Sequence, residues 1–191
     1  MLPTRAVAPL TAAAAALTLG VTQLATGHQN IPFVTFADYL IEGSYALYLV
    51  AAVFAVLDLR AAHTGPGGWG RLGDMGAGLY ALGHALLAVP VVVTFVRGDN
   101  PPEVLFTLFT PGLVAWLLGL VLMAVGAFKG RRIPRAVAVA LPATLPLTLA
   151  LGDPGVLVEV VTWAVLAAFL LRQMRAAEPA APHATDWQHH S

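Results

Sequence analysis

Apolar residues run along this chain in long blocks rather than in alternation, and the polar residues between the blocks cluster at their edges. A bilayer core of roughly 30 Å is crossed by about 20 apolar residues of helix. Stretches of that kind, bounded by charge, Pro or Gly, run from Ala6 to Ala25, Phe33 to Leu57, Met75 to Val96 and Val104 to Phe128. Two shorter ones follow, Ala136 to Leu151 and Pro154 to Leu171, predicting a tight helical hairpin around Gly152 and Asp153. Asp153 followed by Pro154 reads as an N-cap with Pro at the first helical position. Asp74 reads as the cap of the third helix. The pattern predicts an all-α, polytopic membrane helix bundle of about six transmembrane helices, with residues 1–175 as one helical domain.

Composition points the same way. The 191 residues carry 10 Lys plus Arg and 10 Asp plus Glu, or 10% charged, against roughly 25% in a soluble domain. Hydrophobic residues make up 58% and mean hydropathy is +0.77, as expected when apolar side chains face lipid as well as a core. The expected location is the cell membrane, as a multi-pass protein. A net charge of zero, with no basic stripe interleaved with aromatics, argues against a nucleic-acid partner. The chain has no cysteine, so disulfides, thiolate metal sites and Cys nucleophiles are excluded.

Charge then sets the orientation, because Lys and Arg accumulate in short cytoplasmic loops. Arg5, Arg60, Arg71, Lys129, Arg131, Arg132, Arg135, Arg172 and Arg175 fall on one side of the six spans and only Arg97 on the other. Both termini are expected in the cytoplasm. Arg5, the alanine-rich run and Ala25-Thr26-Gly27 also match a signal peptide with its cleavage site, but the run is long for one, which favours a retained helix. Residues 176–191 lack apolar periodicity and read as a disordered cytoplasmic tail, where His183, His189 and His190 are solvated.

Ionisable groups inside a membrane cost a few kcal/mol at least, so each calls for a partner or a cavity. Asp38 and Glu42 in the second span, His84 in the third and Glu159 in the sixth fall in the outer half or near the midplane. Gln23, Thr107, Thr110, Thr144 and Thr148 repeat that bias. Residues three or four apart share a helix face, giving the stripes Asp38-Glu42-Tyr45, Tyr80-His84, Thr144-Thr148 and Glu159-Thr162-Trp163. Pro90, Pro111, Pro142 and Pro146 are expected to kink helices in the same zone. Together these predict a polar pocket open outward and built from helices two, three and six.

A plainer account stands beside each of these. Threonines bond back to their own helix or pack closely, a lone midplane His completes an interhelical bond, and Asp38 sits at the headgroup level. Glu42 is harder to dismiss, since a carboxylate midway along a span must be protonated, paired or wet. Glu42 and Asp38 are the candidate general acids, and one proton shared by both would be a workable acid. The same pair would equally hold a cation. Tyr45, Tyr80, His84, Glu159 and Trp163 are the candidate ligand-binding residues.

Other motifs add little. Gly65 to Gly70 reads GPGGWG, matching G-x-G-x-x-G as a string, but no strand precedes it and Pro66 interrupts it. It reads as a flexible cytoplasmic loop. Walker A, H-E-x-x-H and G-x-S-x-G sequences are absent. A zinc site would need His28 to meet His84 or the carboxylates, and no helical His pair supplies two ligands, so no metal and no cofactor are expected. Gly76, Gly78 and Gly83, and Gly119 and Gly126, allow close helix approach.

The stretch Gly112 to Arg135, GLVAWLLGLVLMAVGAFKGRRIPR, with a Pro-rich helix after it and a final helix ending LLRQ, resembles the small six-helix integral membrane proteins of actinobacteria. The resemblance implies the fold class and carries over no functional residue. Three functions remain open on the residues alone. The first is binding of a membrane lipid or small hydrophobic ligand. The second is an intramembrane enzyme, such as an isomerase or terpenoid cyclase with a carboxylate general acid. The third is a transporter or assembly subunit, which a chain of this size would build as a homo-oligomer.

Overall fold

Helix ends in this protein are set by local chemistry more than by where the apolar blocks stop. A computed structural model describes residues 4–130, 133 and 135–177. Helix α1 spans Thr4–Thr26, α2 Phe36–Ala62 and α3 Gly70–Arg97, and a short α4, Glu103–Phe106, leads into α5, Phe109–Lys129. Helix α6, Arg135–Ala140, passes through a 3-10 turn at Leu141–Ala143 into α7, Thr144–Leu151, and a second 3-10 turn at Asp153–Gly155 opens α8, Val156–Ala177. Five spans are long and apolar enough to cross a membrane: Ala6–Thr26, Phe36–Ala62, Gly70–Arg97, Glu103–Lys129 and Asp153–Gln173. The chain is an all-α, multi-pass membrane protein. Helix α8 runs on to Ala177, two residues into the tail expected from residue 176, and the rest of that tail, 178–191, lies outside the described residues.

Three expectations need correction. The fifth block is not one continuous helix but is broken by a 3-10 turn, because Pro142 and Pro146 each remove a backbone donor in adjacent turns and the first falls in that turn. Asp74 does not cap α3. That helix starts at Gly70 after Trp69, and Asp74 lies inside it, accepting from Arg60 Nε at 3.4 Å and Trp69 Nε1 at 3.3 Å. Nor does Asp153 cap α8, since its 3-10 turn follows Gly152 and makes no side-chain cap bond. Pro90, in contrast, lies within a continuous α3, and Pro111 falls in the first turn of α5, where a missing N–H costs little.

The bundle is a closed circuit. Helix α1 packs on α2 and α8, α2 on α3, α3 on α5, α5 on α6 and its 3-10 turn, and α7 on α8. The tightest seam is α3 against α5, where glycines on both helices let the backbones touch. A methyl group placed on Gly83 would stand 2.5 Å from Trp116 N, one on Gly76 2.5 Å from Met123 N, and one on Gly119 2.5 Å from Tyr80 N. Gly126 meets Gly73 in the same way, at 2.6 Å, whereas Gly78 faces open space. The close-approach reading therefore holds for Gly76, Gly83, Gly119 and Gly126 and fails for Gly78. Around the outside, Val21, Phe54, Val96, Val114, Leu118 and Val161 are exposed, as required of side chains that face lipid.

The segment from Gly27 to Thr35 ties helix ends together on one side of the bundle. Phe33 N donates to Gly98 O at 2.8 Å, and His28 Nε2 lies 3.2 Å from Asp153 Oδ1 in an exposed pair. Asp38 holds most of the rest. Its carboxylate accepts from Asn30 N, Val34 N, Thr35 N and the Thr35 hydroxyl, at 2.6–2.9 Å, while Thr35 Oγ1 accepts from Asp38 N, completing a capping box. Losing a cap costs about 1 kcal/mol, and bonds to a charged group more. Asp38→Ala is expected to lower stability by about 2–3 kcal/mol, read as a lower thermal midpoint in detergent, with Asp38→Asn falling in between.

Candidate functional site

Because the helices close a circuit, its middle must be filled by side chains that reach inward. Tyr48 comes from α2, Tyr80 and His84 from α3, Trp116 from α5, and Glu159 and Trp163 from α8. The close approach of Gly83 to the Trp116 backbone brings the residue after that glycine against α5: the His84 and Trp116 rings are 4.7 Å apart. Tyr80 and His84, one turn apart, stack at 4.2 Å. Tyr80 also meets Trp163 edge-on at 6.1 Å and Trp116 at 6.3 Å, and Tyr48 meets His84 at 5.9 Å. All six side chains are buried, with His84 0% and Glu159 and Trp163 each 2% exposed.

The polar atoms of this group are poorly matched. Tyr48 Oη, His84 Nε2, Trp116 Nε1, Glu159 Oε2 and Trp163 Nε1 are all buried and complete no hydrogen bond of good geometry among the described residues. The Tyr48 hydroxyl faces Glu159, Tyr80 and the Trp163 indole, and Tyr80 faces the Trp116 indole, without Tyr48 or either indole completing a bond of good geometry. His84 Nδ1 lies 3.1 Å from Tyr80 O. Since a carbonyl only accepts, Nδ1 carries the proton, and Nε2 of the neutral ring is left as an acceptor. Glu159 Oε1 has a single weak contact, 3.5 Å from Thr148 Oγ1, whose one proton is already donated to Thr144 O at 2.9 Å. A buried polar atom left unmatched costs about 1–3 kcal/mol. Here indole donors, a hydroxyl, an imidazole acceptor and a carboxyl oxygen meet within one small volume.

The other carboxylates lie nearer the surface and are better served. Glu42 Oε2 accepts from Gln29 Nε2 at 3.0 Å. Asp38 is committed to the cap and to Asn30, and no hydrogen bond joins it to Glu42 among the described residues. The geometry offers that pair no shared proton. Tyr45 stacks on Tyr48 at 6.5 Å and lies within electrostatic range of both Glu42 and Glu159. The threonines bond back to their own helices: Thr162 to Val158 O at 2.8 Å, Thr148 to Thr144 O, and Thr107 to Val104 O at 2.6 Å. His28 lies beside Asp153.

The structure thus gathers Tyr80, His84, Glu159 and Trp163, keeps Tyr45 and Glu42 at the rim and sets Asp38 apart. Two residues join that no sequence argument singled out. Trp116 sits four residues after Gly112 and three before Gly119, on the glycine face of α5, and that spacing was the available signal. Gln29 lies in a turn without periodicity, and no pattern marks it. Comparison of the chain with protein-family models, with curated proteins and with solved structures finds no match.

Proposed function

We propose that the chain binds a small amphiphilic molecule whose polar end is held among Glu159, Tyr48, His84, Trp116 and Trp163, with Glu42 and Gln29 at the mouth. One observation carries this reading: five buried polar atoms from four helices converge, and none completes a hydrogen bond of good geometry among the described residues, in a region where that is costly. Donors and acceptors are mixed, so the group that satisfies them carries both, as a hydroxyl or a primary amide does. Native mass spectrometry of the purified protein tests it. A species that co-purifies with the wild type and is lost from Glu159→Gln supports the reading, whereas equal retention in both forms counts against it.

The same atoms favour one second reading. A carboxyl among the Tyr48, Tyr80 and Trp163 rings suits protonation of an olefin followed by stabilisation of the cation on aromatic faces. Conversion of the co-purifying molecule during incubation would identify that activity, and an unchanged mass would identify binding.

The orientation proposed is with both termini in the cytoplasm, which puts Glu42 and Glu159 in the outer half. It is supported by the sequence distribution of basic residues, nine of which fall on one side of the six apolar blocks and only Arg97 on the other. The chain lacks cysteine, so single introduced thiols report sidedness. Asn100→Cys is expected to react with a membrane-impermeant maleimide in intact cells and Lys129→Cys only after lysis; the reverse would invert the orientation.

A further inference from the structure

Between the broken helix and α8 lies a furrow facing the lipid. Three neighbouring concavities compose it, the outermost about 450 Å³ and the other two about 260 Å³ each. They are continuous, because the first two share Thr144, Val161 and Thr162 and the last two share Val137 and Val165. The furrow reaches from Pro154 at one end of α8 to Arg172 at the other. Those 18 positions rise about 27 Å along a helix, close to the roughly 30 Å depth of a hydrocarbon core. The break at Leu141–Ala143 forms part of its wall.

The furrow also adjoins the polar cluster. Val158 and Thr162, on either side of Glu159 in sequence, line its outer part, and Thr144 on the opposite wall is the residue to which Thr148 bonds. Among the described residues, only the 3.5 Å contact between Thr148 and Glu159 joins α7 to the Glu159 carboxyl there. At that length it is near the limit of a hydrogen bond. The Thr162 hydroxyl is turned back onto Val158 O, which leaves an apolar lining.

We infer that the furrow holds the hydrocarbon tail of a long single-chain amphiphile that enters laterally from the bilayer, with its head group at Glu159. This rests on the binding site proposed above. Three features select a tail over other occupants: apolar walls, a length matching the membrane's depth, and continuity of the outer end with the polar cluster through Val158 and Thr162, which flank Glu159. A second copy of the chain would have no use for that continuity, and bulk lipid would occupy the furrow whatever residue stood at position 159.

The test uses the full chain in proteoliposomes with a long-chain primary alcohol that carries a diazirine midway along its tail. After photolysis, peptide mass spectrometry locates the label. Expected is labelling of the furrow walls on α7 and α8, reduced about tenfold by Glu159→Gln, the equivalent of roughly 1.4 kcal/mol. A similar reduction is expected from Val161→Trp, which fills the furrow from an exposed position 63% accessible and leaves the core intact. Furrow labelling that ignores Glu159→Gln would overturn the inference in favour of bulk lipid. So would chain-to-chain crosslinks in place of furrow labelling, in favour of a second copy. If the co-purifying species is lost from Glu159→Gln but retained by Val161→Trp with no furrow label, the head-group site stands and the tail assignment fails. If neither the label nor a co-purifying species depends on Glu159, both fail.

Discussion

Gly83→Leu is expected to be among the most damaging single changes in this chain, and Gly119→Leu nearly as damaging. Overpacking a core costs typically 1–3 kcal/mol when side chains can shift aside. Here the obstacle is backbone: a Cβ on Gly83 meets Trp116 N at 2.5 Å and one on Gly119 meets Tyr80 N at 2.5 Å. Helices α3 and α5 must separate, so the cost lies above that range, more than about 3 kcal/mol. Separation also pulls His84 from Trp116 and opens the polar cluster. A large fall in thermal midpoint, or failure to recover monodisperse protein from detergent, is the expected result. Gly78→Leu is the control, since nothing lies within 4 Å of a Cβ there, and it should change stability by less than about 0.5 kcal/mol. Equal tolerance of leucine at 78 and 83 would mean that the α3–α5 seam is not as close as described.

Trp163→Ala is the second large effect. The packing circuit of helices leaves a middle that aromatic side chains fill, and Trp163 reaches from α8 to Tyr80 on α3. Truncating a buried tryptophan to alanine costs about 3–5 kcal/mol through lost packing and the cavity left behind. The indole N–H should contribute little to that sum, because it faces the Tyr48 hydroxyl without completing a bond of good geometry. Trp163→Phe, which removes the N–H and keeps most of the ring, is therefore expected to cost only about 1 kcal/mol. Thermal unfolding of the two variants separates the body of the side chain from its polar edge. If Phe were as damaging as Ala, the N–H would be making a bond that the structure does not contain.

What the sequence reveals about this molecule depends on how local the determining physics is. Spans appear as apolar blocks because each must hold its own backbone bonds across the bilayer. A single proline did not disclose its effect, since Pro90 lies inside a continuous helix and Pro142 lies at a break. The difference is the second proline four residues on, which removes a donor from the next turn as well. Asp38 and Glu42 share a face, and the stripe pattern ranked them together. Their different roles follow from residues outside the helix, Asn30 and Thr35 for one and Gln29 for the other, in a turn with no periodicity. Glu159 stands out in the sequence as a charge inside a span, but the company it keeps does not, because Tyr48, Tyr80, His84 and Trp116 come from helices distant in sequence.

The account's central claim is that the buried polar cluster is kept for a ligand at a cost to stability. Replacing an unmatched buried polar group by an apolar one of similar shape is neutral or stabilising, whereas removing a structural bond is not. The most direct measurement is the thermal midpoint of Glu159→Met, purified and freed of bound ligand by delipidation beside the wild type, together with what each form retains when purified gently. Predicted is an unchanged or higher midpoint for the variant and loss of the co-purifying molecule. A midpoint lowered by several degrees, with the same molecules retained, would show that Glu159 holds the bundle together and would contradict the claim.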